Sequence, residues 1–593
     1  MLKVSRTKSI LRHPLIWFLL APLATAVIFL RLARMLELWP TIEAYLRLEP
    51  AKITQNSIFN LSDYLATLAL FFVIITVSDF RHRFRLLVTA PPCIPIAFTI
   101  SFGIGFLILI IDFWFSNNWL TPAAMNNSNN IKVVLALLFL GMTCYLSLIA
   151  FVSPPTFSKR NAHRAFNIMH HYVARGNPEQ LVVIADWLAA SADQIVEFSA
   201  RHRSESSLRS TEVAPSYLEY ADYTLLLLGN KKICQEMVDK SPWTVAELFR
   251  AAAQYPYAKL PISQFSRNIG TELIINSKPA LYVEDDGHTS GLLGYTKPIT
   301  TSVFGNFHLV EQLASSSRGP LDIEFPASYE ITAAQLTAYA RAVLIFSRSY
   351  VAQPYPHHSY AFFRSLSVFE SQIFSISGLG TLGDQYWRSD DYAKLKASIR
   401  FIRDIIKILS EKPTPAKRRE KDYPLDGLAF IHHQVANLIF SIVKSASRVR
   451  AAPDICWGIQ HNCIWSDLFT WDESKSKDLI AFYLRRLMYD EIKRVEEYPN
   501  FVGAGIIGYC LNVLGVHEEN KEPRKKPRFA PVQRTAASWV KRNYLRLHEE
   551  YPAVADAILV GGLSFDPQTK RIIKTYASIL GKPGHQEYLQ LIG

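Results

Sequence analysis

Residues 95–115 read PIAFTISFGIGFLILIIDFWF. Apart from Asp112 the run carries no charge, and it has the length of roughly 20 residues that a helix needs to cross about 30 Å of hydrocarbon. Three similar runs lie around it. Residues 133–152 have no charge, residues 61–78 are apolar after Asp63, and residues 15–30 are broken only by Pro22 and Thr25. A buried core helix accounts for one such run but not for four in succession. A secretory leader explains only the first, and no A-x-A-like cleavage site follows it. The first 158 residues are therefore expected to form a transmembrane domain of four helices.

Lys and Arg near the span ends set the expected orientation. The N-terminal tail carries Lys3, Arg6, Lys8 and Arg12, the second loop Arg81, Arg83 and Arg85, and the segment after the fourth run Lys159, Arg160 and Arg164. The third loop, SNNWLTPAAMNNSNN, is uncharged, and the first loop is mixed. This pattern predicts a multi-pass protein of the cell inner membrane with both termini in the cytosol.

From residue 159 to 593 the patterning is helical. In NPEQLVVIADWLAASADQIVEFSAR, Leu181, Ile184, Leu188, Ala192 and Ile195 recur at three- and four-residue spacing. SPWTVAELFRAAAQY places Ser241 as a cap and Pro242 at a helix start. DDYAKLKASIRFIRDIIKILSEK and FIHHQVANLIFSIVKSASRVR read as further amphipathic helices. Only residues 275–306, rich in Gly, Pro and β-branched residues, read as an irregular insertion. The expected fold class is mostly α: a four-span membrane domain, then a large helical cytosolic domain with one irregular insertion. Six cysteines without framework spacing fit a reducing compartment.

Gly503, Gly505 and Gly508 in NFVGAGIIGYCLNVLG spell the dinucleotide-binding fingerprint, but a charged helical pattern precedes them where a strand is required. Gly378, Gly380 and Gly383 repeat the pattern, also without a strand. Helix packing is expected at Gly505 and Gly508, and a flexible turn at residues 378–383. The pairs His170-His171, His357-His358 and His432-His433 lack ligand spacing. Cys456, His461 and Cys463 supply three ligands without a fourth, and the acidic loop Glu284, Asp285, Asp286 and His288 reads as a surface turn. No Walker A, G-x-S-x-G or kinase signature occurs. No catalytic residue, metal or cofactor is expected.

Charge is more informative. Net charge is +13. Residues 1–158 carry 12 Lys/Arg against 6 Asp/Glu, which leaves 52 against 45 for the remainder. Residues 521–546, KEPRKKPRFAPVQRTAASWVKRNYLR, hold 9 basic residues and 1 acidic one, enough to supply the whole basic excess of the second domain. Cations interleaved with aromatics hold phosphates and stack bases, so Lys525, Lys526, Arg528, Lys541, Arg542 and Tyr544 are the expected ligand-binding residues. Residues 412–421 form a second basic cluster. Asp63 and Asp112, both at the expected outer ends of spans, are candidate pore residues, because rings of carboxylates attract cations. Four spans make a poor pore alone, so a channel implies a homo-oligomer.

Four spans followed by a large helical sensor with a basic segment resemble, in layout alone, the membrane effectors of bacterial anti-phage systems, and the Hailong-type effector in particular. That resemblance implies a multimeric channel held shut by a short DNA ligand made by a nucleotidyltransferase partner. The expected function is thus an oligomeric channel or membrane-disrupting effector, not an enzyme, controlled by a nucleotide or oligonucleotide on its cytosolic domain. The rival is a non-conducting scaffold in the lipid bilayer that recruits cytosolic partners, and a third reading is an enzyme with an unfamiliar helical site.

Overall fold

A computed structural model describes residues 48–50, 60–77, 79–122, 127–208, 216–275, 298–316, 318–323, 330–354, 358–417, 427–470, 474–516, 528–576 and 584–592. The chain is mostly helical and divides into two compact units between Pro155 and Thr156.

In the first unit, strand β1 (Leu48–Pro50) precedes helices α1 (Leu61–Val77), α2 (Phe80–Val88) and α3 (Cys93–Ser116). Strand β2 (Leu120–Pro122) and helix α4 (Ser128–Ser147) follow, and α4 runs on into a π-helical turn, Leu148–Val152. Strands β1 and β2 pair antiparallel, Leu48 opposite Pro122, which holds the first and third connecting segments together at one end of the bundle. The second connection is not a loop. Asp79 caps α2 by accepting from Arg81 N, and Phe84, Leu86 and Val88 are buried. At the frayed end of α4, the Ala150 carbonyl accepts Arg85 Nη1 at 2.7 Å and faces His82 Nδ1 at 3.1 Å. Helix ends leave such carbonyls without intrahelical partners, so this basic stretch is partly structural.

Two helices are long and apolar enough to cross a membrane: Cys93–Ser116 and Ser128–Val152. Helix α1 follows the expected second run but has 17 residues. The expected first span, residues 15–30, lies outside the described residues. Four spans reduce, among the described residues, to two helices of sufficient length and one shorter apolar helix.

The second unit begins with α5 (Ala162–Arg175), α6 (Pro178–Leu208), α7 (Ser216–Leu227), α8 (Lys231–Lys240), α9 (Pro242–Ala253) and α10 (Ser263–Ile275). Next come α11 (Pro298–Phe304), α12 (Phe307–Ala314), α13 (Ala333–Ala352), α14 (Tyr360–Ile373), a 3₁₀ coil (Phe374–Arg388) and α15 (Asp390–Ser410). After them stand α16 (Gly427–Ala446), α17 (Pro453–Trp457), a π-helical segment (Gly458–Ser466), α18 (Asp467–Phe469), α19 (Lys475–Glu497) and α20 (Phe501–Leu514). Helices α21 (Ala530–Glu550) and α22 (Pro552–Asp556) lead into an antiparallel meander of β3 (Leu563–Asp566), β4 (Arg571–Thr575) and β5 (Gln586–Gln590). Neighbouring helices bury the apolar stripes that the sequence lays down: α6 packs on α7 and α9, α13 on α15, and α16 on α19.

Local sequence explains several helix starts. Thr332 and Gln335 form a reciprocal capping box at α13, and Ser389 caps α15 by accepting from Tyr392 N. Ser241 stands at the start of α9 but makes no cap bond, since its hydroxyl donates to Asp186 Oδ1 at 2.9 Å. Pro298–Phe304 is helical, so the irregular insertion is shorter than expected, and its residues 276–297 lie outside the described residues.

The 503–508 glycine pattern lies inside α20, entered from helix α19 through the Asn500 cap. A Cβ on Gly508 would stand 2.3 Å from the Ile558 carbonyl oxygen, and one on Gly505 would stand 2.9 Å from Ser447 Oγ. These glycines let a buried helix meet its neighbours closely. Gly383, at φ +57°, interrupts the 3₁₀ coil, and a Cβ on Gly380 would stand 2.3 Å from the Arg450 carbonyl oxygen, although one on Gly378 or Gly383 would meet open space. The expected turn is thus a 3₁₀ coil broken at Gly383.

Candidate functional site

The membrane-length helices turn much of their apolar surface outward. Phe102, Phe106, Leu109 and Phe113 form an exposed row along α3 at i, i+4, i+7 and i+11, and Val134, Leu137, Leu138, Tyr145 and Leu148 are exposed along α4. The core helix of a soluble protein hides such residues, as α20 does. Contiguous exposed apolar surface of this extent marks a lipid or protein contact. Inside the unit, Tyr64 is 1 % exposed, and its hydroxyl donates to the Ser101 carbonyl past Gly105.

Each candidate pore carboxylate has a polar partner within the unit. Asp63 reaches back to accept Asn60 N at 3.2 Å and so closes the first turn of α1. Asp112 Oδ1 lies 2.5 Å from Nζ of Lys132, whose side chain is 6 % exposed. One carboxylate thus accepts a backbone N–H at its own helix start, and the other pairs with a buried lysine. Thr67, Thr99 and Thr143 donate to their own helices, at the Asp63, Pro95 and Phe139 carbonyls.

The basic segment separates into parts. Lys525 and Lys526 lie outside the described residues. Arg528 Nε pairs with Asp478 Oδ1 at 2.7 Å, while its carbonyl accepts Arg485 Nη1 at 2.7 Å, so it ties α21 to α19. Tyr544 is 0 % exposed, packed near Phe565 and His548. Its expected stacking on a ligand is corrected, because the helix turns its aromatics inward and its cations outward. Arg534, Lys541 and Arg542 remain on the outer side of α21 and form no ion pair among the described residues.

Sequence reading missed two features. Lys396, Arg400, Arg403 and Lys407 form an exposed row along α15 at i, i+4, i+7 and i+11. The helical periodicity held that signal, since each cation falls between buried positions. The second is Lys574 on β4, 1 % exposed and without a hydrogen-bond partner among the described residues. Its Nζ lies 4.0 Å from the Tyr576 ring centroid and 5.1 Å from that of Trp457, and Glu587 is its cross-strand partner. Burial pushes this ammonium down from 10.5 to about 8, opposed by Glu587. The two-residue alternation of RIIKT already places Lys574 on the inward face with Ile572.

The remaining chemistry is structural. Cys456 Sγ donates to the Val449 and Ala451 carbonyls, and His461 stacks on Trp457 with ring centroids 4.0 Å apart. Burial pushes the Cys463 thiol up to about 11 and holds the His432 imidazole below its usual range. Among the described residues, no three His, Cys, Asp or Glu side chains gather to hold a metal ion. The acidic loop 284–288 and His357 lie outside the described residues. Asp222 accepts from Ser199 Oγ at 2.5 Å, faces His202 Nδ1 at 3.0 Å and pairs with Arg203 Nη2 at 2.7 Å. In this network the carboxylate, not the imidazole, accepts from the serine hydroxyl.

No protein-family profile, curated protein or solved structure matches the chain. The functional reading therefore rests on geometry.

Proposed function

We propose that this chain is a multi-pass inner-membrane effector whose helical second unit receives an anionic, nucleotide-like ligand and thereby controls the membrane unit. The observation that carries the reading is the pairing of two surfaces in one chain: outward apolar rows on α3 and α4, and outward cation rows on α15 and α21 without acidic partners among the described residues. An apolar row belongs in lipid or against another copy. A row of unpaired cations costs self-repulsion until an anion meets it. The pairing of β1 with β2 at one end of the described helices and the Arg85–Ala150 contact at the other support a reading in which successive connections alternate between membrane sides. On this reading the protein acts as an oligomeric channel or membrane-disrupting assembly in bacterial anti-phage defence, with no catalytic step of its own and a nucleotidyltransferase partner as ligand source.

A second reading, a non-conducting scaffold, is favoured by one observation: Asp112 is neutralised by Lys132 and so supplies no free charge to a pore. Particle images of the detergent-extracted protein discriminate. A symmetric oligomer with the α3 and α4 rows around or facing a central axis supports the effector, and a monodisperse monomer supports the scaffold.

A further inference from the structure

We propose that the outer ridge of α15 is a binding surface for a single strand of nucleic acid, with its phosphates along Lys396, Arg400, Arg403 and Lys407 and a base on Trp387. This rests on the anionic-ligand reading above and assigns its surface. At 1.5 Å rise per residue the four cations cover ~16 Å of helix, and all four are exposed. None forms an ion pair among the described residues, although the same helix contains acids. Asp390 and Asp391 are taken up by Lys394 on another face, at 3.1 and 3.6 Å, and Asp404 flanks the ridge.

An open, linear row of this length suits a chain of phosphates better than a mononucleotide, which is held by a concave site that closes around it. The helix entrance supplies the second element. Trp387 is 55 % exposed just before the Ser389 cap, with the Arg388 guanidinium 4.6 Å from its ring centroid. An exposed indole beside a guanidinium offers a sequence-tolerant face for a base. Beyond the other end of α15, Lys412 and Lys417 are also exposed.

The test uses the full chain in neutral-lipid nanodiscs and a short fluorescein-labelled oligothymidine, read by anisotropy. Four phosphate contacts give a slope of log affinity against log salt of about −2.8, or about a 50-fold loss between 50 and 200 mM salt. Changing all four cations to Gln should remove most binding while the circular dichroism and melting curve stay unchanged, because the side chains are exposed. Arg403→Gln alone should reduce the slope by about 0.7, and Trp387→Leu should weaken binding roughly ten-fold. Wild-type affinity in the four-Gln variant, with loss on changing Arg534, Lys541 and Arg542 to Gln, overturns the α15 assignment and leaves the anionic-ligand reading intact. If neither the oligonucleotide nor mononucleotides bind, both fail. Ridge-dependent capture of phosphatidylserine vesicles, without oligonucleotide binding, overturns the assignment in favour of a lipid surface.

Discussion

Replacing Lys574 with Met should stabilise the protein at neutral pH. Its ammonium is buried under Trp457 and Tyr576 without a hydrogen bond among the described residues, and its folded-state value is lowered from 10.5 to about 8. At 1.36 kcal/mol per unit, that difference means the fold disfavours the charged form by about 3 kcal/mol. The two ring faces return roughly 1 to 2 kcal/mol of cation–π attraction, which Met forgoes while keeping the apolar stem. The net expected gain is about 1 to 2 kcal/mol. Because the folded value lies below the unfolded one, the unfolded chain binds more protons between pH 8 and about 10.5. The penalty is therefore complete below pH 8, shrinks through that window and is absent above it. Melting followed by intrinsic fluorescence should show Lys574→Met above wild type by roughly 2 °C near neutral pH, with the gap closing as pH rises toward 10. Tyrosine and cysteine ionisation at high pH is common to both proteins and cancels in the difference. A Met variant less stable than wild type at neutral pH would refute the reasoning, since the ammonium would then be a required partner, for Glu587 or for another group.

Asp112→Asn should destabilise the membrane unit by about 1 to 3 kcal/mol, because it removes the charge partner of the buried Lys132 while Asp112 itself is 41 % exposed, and Lys132→Met should restore part of that loss. Denaturant titration in detergent reads both, and full stability of Asp112→Asn alone would restore Asp112 as a free pore charge. Gly508→Ala should cost 1 to 3 kcal/mol by pressing a methyl on the Ile558 carbonyl, and isothermal titration should detect no nicotinamide-dinucleotide binding in either form. Glu311 accepts Tyr360 N at 2.7 Å and Ser359 Oγ at 2.5 Å, and so holds the start of α14. Glu311→Gln should lower stability by about 1 to 2 kcal/mol, seen as earlier unfolding of wild-type-like secondary structure.

The helical character was legible because buried positions in segments such as Leu181–Ile195 recur with the helical period, and the structure buries Leu181, Ile184, Leu188, Ala192 and Ile195. The role of the α20 glycines was legible too, because a charged helix stands where the fingerprint demands a strand. What sequence concealed was pairing. Lys132 sits just outside the uncharged run at residues 133–152, so its bond to Asp112 depends on how α3 and α4 meet in space. Tyr544 and Arg542 lie two residues apart on α21, and only the packing of that helix against its neighbours decides that one is core and the other is surface. The α15 ridge was present as a spacing, but α15 reads as an ordinary amphipathic helix until the four cations are seen to be exposed and to form no ion pair among the described residues.

Ion flux most directly tests the claim that an anionic ligand on the second unit controls the membrane unit. The full chain is reconstituted in liposomes loaded with an ion-sensitive dye, and oligonucleotide or nucleotides are supplied to the side that bears the second unit. The expected result is a leak that changes on ligand addition and loses that response when the α15 and α21 cations are changed to Gln, with the protein still inserted. Liposomes that stay tight under every ligand condition, or a leak indifferent to ligand and to those cations, would contradict it.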